Sequence, residues 1–96
     1  MAETHGTARV LITSIDGTVS HPFRWDQVVD DVRHFGYDKL VNDKSQIAFD
    51  NTWIEHGGVR LDGGTKLSAL GDPSKQPGSA PDLTLNLAWT QQGGHI

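Results

Sequence analysis

The feature that most constrains the fold is a stretch with helical spacing of its apolar residues, RWDQVVDDVRHFGY, which starts at Arg24. Its apolar side chains recur every three or four positions, at Trp25, Val28, Val29, Val32 and Phe35. Residues with this spacing share one face of an amphipathic helix, and the aspartates between them lie on the polar face. Gly36 follows the last of them and is expected to end the helix, because glycine is common just past helix C-termini.

Segments that alternate apolar and polar residues stand on both sides of this stretch, as is typical of half-buried strands. RVLITSIDGTVSHPF, which starts at Arg9, predicts a hairpin with Asp16-Gly17 as its two-residue turn. In that register Ile15 pairs with Thr18. The core face of the hairpin would hold Val10, Ile12, Val19 and Phe23.

The chain after the helix predicts further strands. QIAFDNTWI alternates so that one side of a strand holds Ile47, Phe49 and Trp53. After a turn in EHGG, residues 59–70 predict a second hairpin around Asp62-Gly63-Gly64, which completes a three-stranded meander. LTLNLAWT predicts a final strand with the cleanest alternation in the chain, through Leu83, Leu85, Leu87 and Trp89.

These elements predict one α+β domain over residues 1–96, with a mostly antiparallel sheet of about five or six strands and one amphipathic helix packed on it. Residues 71–82 hold three of the four prolines and are expected to form a loop. Residues 1–8 and 91–96 are expected to be loose tails, since terminal residues without an apolar pattern usually fray.

Charge and composition exclude several classes of protein. Twelve acidic and eight basic side chains give a net charge of -4, whereas nucleic-acid binders usually carry a basic patch. The chain has no cysteine, which excludes disulfides and thiolate catalysis. It also lacks a run of about eighteen apolar residues that would cross a membrane. We expect a soluble, cytoplasmic protein that binds neither nucleic acid nor membranes.

The sequence around Asp16, LITSIDGTV, resembles the opening motif of the haloacid-dehalogenase-type phosphatases. In that motif a nucleophilic aspartate precedes a second aspartate by two residues. Asp16 matches the second aspartate, but Ser14 stands at the position of the nucleophile. The resemblance also implies a parallel sheet with several crossover helices, for which this chain has no pattern. We therefore interpret Asp16-Gly17 as a hairpin turn.

Two histidines are candidates for acid–base catalysis, because imidazole exchanges protons near neutral pH. His21 lies on the predicted core face of the first hairpin, and His56 lies beside Gly57 in a predicted turn. No histidine pair has the spacing of metal ligands on a helix, and no glycine-rich phosphate loop or nucleotide fingerprint occurs. Neither a metal nor another cofactor is expected.

The candidates for binding a ligand or partner are Asn51, Trp53, Arg60, Lys66 and Trp89. Asn51 is expected on the inner face of its strand, where an unpaired amide is costly. Arg60 and Lys66 are expected to face each other across the second hairpin, where an anion or an acidic partner would relieve their repulsion. Trp53 and Trp89 either pack in the core or form an aromatic binding surface, since tryptophan is enriched at binding hot spots.

Two functions from different classes remain open. The first is a small soluble binding or accessory protein that acts through a surface patch, as a homo-oligomer, with another protein or a small ligand as a further partner. The second is a small isomerase- or cyclase-type enzyme that encloses a hydrophobic substrate, with His21 or His56 as the acid–base. An enclosed apolar pocket containing His21 or Asn51 favours the enzyme, whereas a filled core with a flat patch favours the binding protein.

Overall fold

The computed structural model describes residues 6–72 and 80–90 as one α-helix packed on one face of a five-stranded sheet. The strands are β1 (Thr7–Ser14), β2 (Gly17–Arg24), β3 (Thr52–His56), β4 (Val59–Arg60) and β5 (Leu83–Trp89), and the helix is α1 (Val29–Leu40). The strand order is β2-β1-β5-β3-β4. β1 and β5 are parallel, and the other neighbours are antiparallel. The predicted α+β class is confirmed.

The hairpin of β1 and β2 forms where the sequence predicts it, but its register differs by two residues. Ser14 pairs with Gly17, so the turn consists of Ile15 and Asp16, and the predicted pairing of Ile15 with Thr18 is wrong. Gly17 has a φ of 148°, which other residues rarely adopt, and the Ser14 hydroxyl donates to its carbonyl over 3.0 Å. A shift of two residues keeps every side chain on its predicted face.

Helix α1 begins and ends later than predicted. Trp25 and Val28 precede it, and Gly36 lies inside it rather than at its end. The first N–H groups of the helix donate to main-chain carbonyls of a loop far along the chain. Val29 donates to the Thr65 carbonyl over 2.8 Å, and Asp30 donates to the Gly63 carbonyl over 3.0 Å. The buried residues of α1 are Val29, Val32, Gly36 and Leu40. Together with the sheet they form the core.

The predicted inner face of β3 is wrong. Residues Phe49–Asn51 form a 3-10 turn instead of continuing the strand. After that turn Thr52 and Ile54 are buried, while Trp53 is only half-buried on the other face. Because side chains alternate along a strand, a shift of one residue exchanges the two faces. Asn51 therefore belongs to the turn and not to the inner face of the strand.

The predicted hairpin around Asp62-Gly63-Gly64 does not form, so the three-stranded meander is wrong. The turn predicted in EHGG does form: β4 pairs with β3 across Gly57 and Gly58, whose φ values of 61° and 83° suit a tight turn. The chain then leaves the sheet and runs to the start of α1. There Leu67 is fully buried and donates its N–H to the Gln27 carbonyl over 2.9 Å.

The final strand is confirmed and is central to the sheet. β5 lies between β1 and β3, and Leu83, Leu85 and Leu87 are buried. Thr7 and Ala8, placed in the predicted N-terminal tail, belong to β1. The predicted tail 91–96, residues 1–5 and residues 73–79 of the predicted loop lie outside the described residues. No helix of the described part is long and apolar enough to cross a membrane.

Candidate functional site

The face of the sheet opposite α1, here called the open face, carries a continuous row of polar side chains. Register places one residue of each strand in this row, namely Thr18, Thr13, Asn86, Glu55 and Arg60. The Thr13 hydroxyl donates to Asn86 Oδ1 over 2.9 Å in the middle of the row. The row crosses all five strands, so the open face forms one continuous surface.

At the β4 end of the row, Trp53, Glu55 and Arg60 form what we call the Trp53–Arg60 cluster. The Trp53 indole N–H donates to Glu55 Oε2 over 2.8 Å. The Arg60 guanidinium lies 4.7 Å from the centroid of the Trp53 ring, a cation–π distance. Among the described residues Arg60 has no ion-pair partner. The cluster thus offers an aromatic ring and an unpaired cation, both held in place.

A pocket of about 450 Å³ opens beside the cluster, where the chain leaves the sheet after β4. The main chain at this point is fixed by Leu61, whose N–H donates to the Ile54 carbonyl over 2.8 Å. The lining residues are Val29, Asp30, Arg33, Thr52, Trp53, Ile54, Arg60, Leu61, Asp62 and Gly63. Four of these are charged, so the pocket suits a polar ligand better than an apolar one.

Arg33 of α1 forms the inner wall of the pocket and was missed as a candidate by sequence reasoning. Its Nη1 donates to the carbonyls of Phe49 and Thr52 over 3.1 and 2.8 Å, and its Nε donates to Asp30 Oδ1 over 3.2 Å. The guanidinium also lies 3.9 Å from the centroid of the Phe49 ring. Its main-chain acceptors are 16 and 19 residues away, and main-chain carbonyls leave no signal in a sequence.

Of the predicted binding residues, the structure brings Trp53 and Arg60 together. Asn51 and Trp89 lie at the end of the sheet near Thr52 and do not line the pocket. The Asn51 carbonyl accepts the N–H of Thr90 over 3.2 Å. Trp89 packs partly against the core, and its indole nitrogen is buried without a partner among the described residues.

Lys66 lies apart from this site, so its predicted position opposite Arg60 is wrong. Arg60 faces Glu55 of β3, whereas Lys66 forms an isolated bridge with Val28 before α1. The pKa of Asp26 is lowered mainly by a hydrogen bond from the Arg24 side chain and, least of all, by the charge of Lys66. This charge therefore acts near the start of the helix and not on the open face.

The two candidate catalytic histidines also lie outside the pocket. His21 faces the helix as predicted, with its ring stacked 4.0 Å from that of Phe35 and 5.0 Å from that of Phe23. His56 is half-buried at the end of β3, beside Gly57. No group of three or more metal-ligating side chains comes together in the described ranges.

Comparison with known proteins places the fold. No protein-family model matches the chain, and no curated protein matches its sequence. The solved structure of Caldiarchaeum subterraneum ubiquitin superimposes with a TM-score of 0.66 and 18% sequence identity, over 93% of this chain and 100% of that one. At this identity the likeness concerns the fold alone: one helix on a mixed five-stranded sheet, the ubiquitin-like β-grasp arrangement.

Proposed function

We propose that the protein is a small binding module that contacts a partner protein through the open face around the Trp53–Arg60 cluster. The observation that carries this proposal is the Arg60 guanidinium, stacked on Trp53 without an ion-pair partner among the described residues. Tryptophan and arginine are the residues most enriched at binding hot spots. A partner that supplies a carboxylate there would complete the cluster.

The surroundings of the cluster also suit protein binding. Ala88, the cross-strand neighbour of Trp53, has a small side chain, and the indole itself is only half-buried. Thr13 and Asn86 already hold each other by a hydrogen bond. Side chains ordered in advance lose little conformational entropy on binding. A continuous, ordered surface of this kind fits another protein better than it encloses a substrate.

The test is site-specific photo-crosslinking in cells that produce the protein. A photoreactive residue at position 88 on the open face is compared with one at position 38 on the exposed side of α1. We expect a discrete crosslinked partner from position 88, reduced by Arg60→Glu, and none from position 38. Lys39→Glu is the matched charge reversal on the helix layer. Crosslinks to one partner only from position 38 would contradict the proposal.

The alternative function is a small isomerase or cyclase with His21 or His56 as the acid–base. It has less support because neither histidine lines the pocket and because four lining residues are charged. The ring of His21 is held between aromatic rings, one stacked and one edge-on, as in a packed core. We therefore place this function second.

We further propose self-association and a cytoplasmic location. β2 is an edge strand of eight residues, and unpaired strand edges are templates for pairing with another copy. Pro22 has no N–H to donate, which confines such pairing to the part of β2 nearer the hairpin turn. The absence of cysteine is in keeping with a reducing compartment.

A further inference from the structure

The charged residues of the pocket are unevenly compensated. Asp30 and Arg33 form an ion pair of 3.2 Å. Arg60 and Asp62, on either side of Leu61, form no ion pair with each other or with any other described residue. One positive and one negative side chain therefore remain available at the mouth of the same pocket.

These two side chains are held in place separately. Arg60 is stacked on Trp53, and Asp62 Oδ2 accepts the N–H of Gly64 over 3.0 Å. The residue between them is fixed by the hydrogen bond from the Leu61 N–H to β3. Opposite charges held apart in this way are organised before a ligand arrives, so binding need not order them.

The inner wall supplies a second site for a carboxylate. Nε and Nη1 of Arg33 are bonded to Asp30, Phe49 and Thr52, but its Nη2 makes no hydrogen bond within the described part of the chain. The Arg33 side chain is only 18% exposed. A charge-assisted hydrogen bond to such a guanidinium is stronger than one at the open surface.

We propose that this pocket binds a small zwitterion of the α-amino-acid class. Arg60 and Arg33 Nη2 receive its carboxylate, and Asp62 receives its ammonium group. Val29 and Ile54 also line the pocket but are each only 1% exposed, so recognition rests on the charged groups of the ligand rather than on its side chain. A volume of about 450 Å³ is within the range of small-molecule sites. This inference goes beyond partner binding and does not depend on it.

The test is titration of the ¹⁵N-labelled full chain, monitored by backbone amide shifts at Leu61 and Gly63 and the indole shift of Trp53. The probes are L-leucine, L-glutamine and L-phenylalanine, compared with N-acetyl-L-leucine and L-leucine methyl ester. We expect at least one free amino acid to bind saturably, and L-leucine to bind about tenfold or more tightly than either of its blocked forms. No saturable shift with any free amino acid, or equal binding of the blocked forms, would overturn the proposal.

Variants assign the charges. Asp62→Asn keeps an oxygen that can accept the Gly64 N–H but removes the charge, so it should weaken amino-acid binding about tenfold. Arg60→Gln should weaken amino-acid binding to a similar extent, whereas Asp38→Asn on α1 should leave the affinity unchanged. Unchanged binding in both pocket variants would contradict the assignment. Ala88 lies on the open face but does not line the pocket. Ala88→Arg should therefore abolish partner binding and leave the affinity for amino acids unchanged, which distinguishes the two proposals.

Discussion

Gly36 of α1 lies directly over Ile12 of β1, so close that a Cβ at position 36 would be 3.2 Å from Ile12 Cγ2. The same Cβ would be 3.4 Å from Leu87 Cδ2 on β5. The helix therefore crosses the two central strands at the point where it has no side chain. This close approach explains why a glycine that resembles a helix terminator stands in the middle of the helix.

Substitution of Gly36 should separate packing from helix propensity. Gly36→Val should destabilise the fold by about 1–3 kcal/mol, because it overpacks the contact with β1 and β5. Gly36→Ala should be nearly neutral, since a gain of about 1 kcal/mol in helix propensity offsets the tight contact. Urea unfolding measures both. A parental midpoint for Gly36→Val would show that α1 does not rest on these strands.

Arg33→Met should cost about 1.5–3 kcal/mol, because it leaves the carbonyls of Phe49 and Thr52 without their charged donor. Arg33→Lys should restore little of this stability, since one ammonium cannot reproduce the fork of the guanidinium. Lys39→Met, on an exposed position of the same helix, is the control and should stay within about 0.5 kcal/mol. Equal midpoints for Arg33→Met and Lys39→Met would contradict the bracing role of Arg33.

Leu85→Ala should destabilise the fold by about 2–5 kcal/mol, because Leu85 is fully buried on the central strand. Thr84→Ala, on the exposed side of the same strand, should have little effect. A chain truncated after Asp82 should not fold, whereas removal of residues 91–96 should be nearly silent. Thermal melts decide this. A cooperative, near-parental melt of the chain ending at Asp82 would show that β5 is dispensable.

Asp16→Asn should leave folding almost unchanged and alter no enzymatic activity, because Asp16 is an exposed turn residue. Gly17→Ala should be destabilising, since its φ of 148° is unfavourable for any other residue. Circular-dichroism melts and a phosphatase assay test the pair. Phosphatase activity in the parent that disappears in Asp16→Asn would restore the rejected resemblance.

Self-association is expected at micromolar concentration, through the edge of β2. Light scattering over a dilution series should show a dimer or larger species. Ser20→Pro, which removes a donor from the middle of that edge, should shift the protein towards monomer. Thr84→Ala serves as the control on an inner strand. Only monomer in the parent across this range would rule out the proposed oligomer.

The elements with a regular period are those that the sequence predicts well. Leu83, Leu85 and Leu87 alternate without interruption, and β5 forms where they stand. The helix is predicted but its limits are not, because Trp25 fits the helical period while lying before α1. The end at Gly36 is missed for a tertiary reason, its contact with Ile12, which no local pattern encodes.

The site is less predictable than the fold. Trp53 of β3 and Arg60 of β4 are both chosen from sequence, but their contact depends on both side chains lying on the same face of the sheet. The 3-10 turn at Phe49–Asn51 sets that face, and the apparent alternation of the segment hides it. Arg33 acts through main-chain carbonyls, and Asp62 acts from a loop that looks like a hairpin turn. Such groups become recognisable only when the chain has brought them together.

The parallel pairing of β1 with β5 has a consequence for synthesis on the ribosome. Ile12 of β1 pairs with Leu85 of β5, so β1 cannot complete its pairing until a strand more than seventy residues later has been synthesised. Until then a nascent chain has the first hairpin and the helix but nothing to join β1 to β3. Contacts between residues so distant in sequence form slowly and late. The apolar faces of the nascent hairpin and helix therefore stay exposed to chaperones and proteases until β5 has left the exit tunnel.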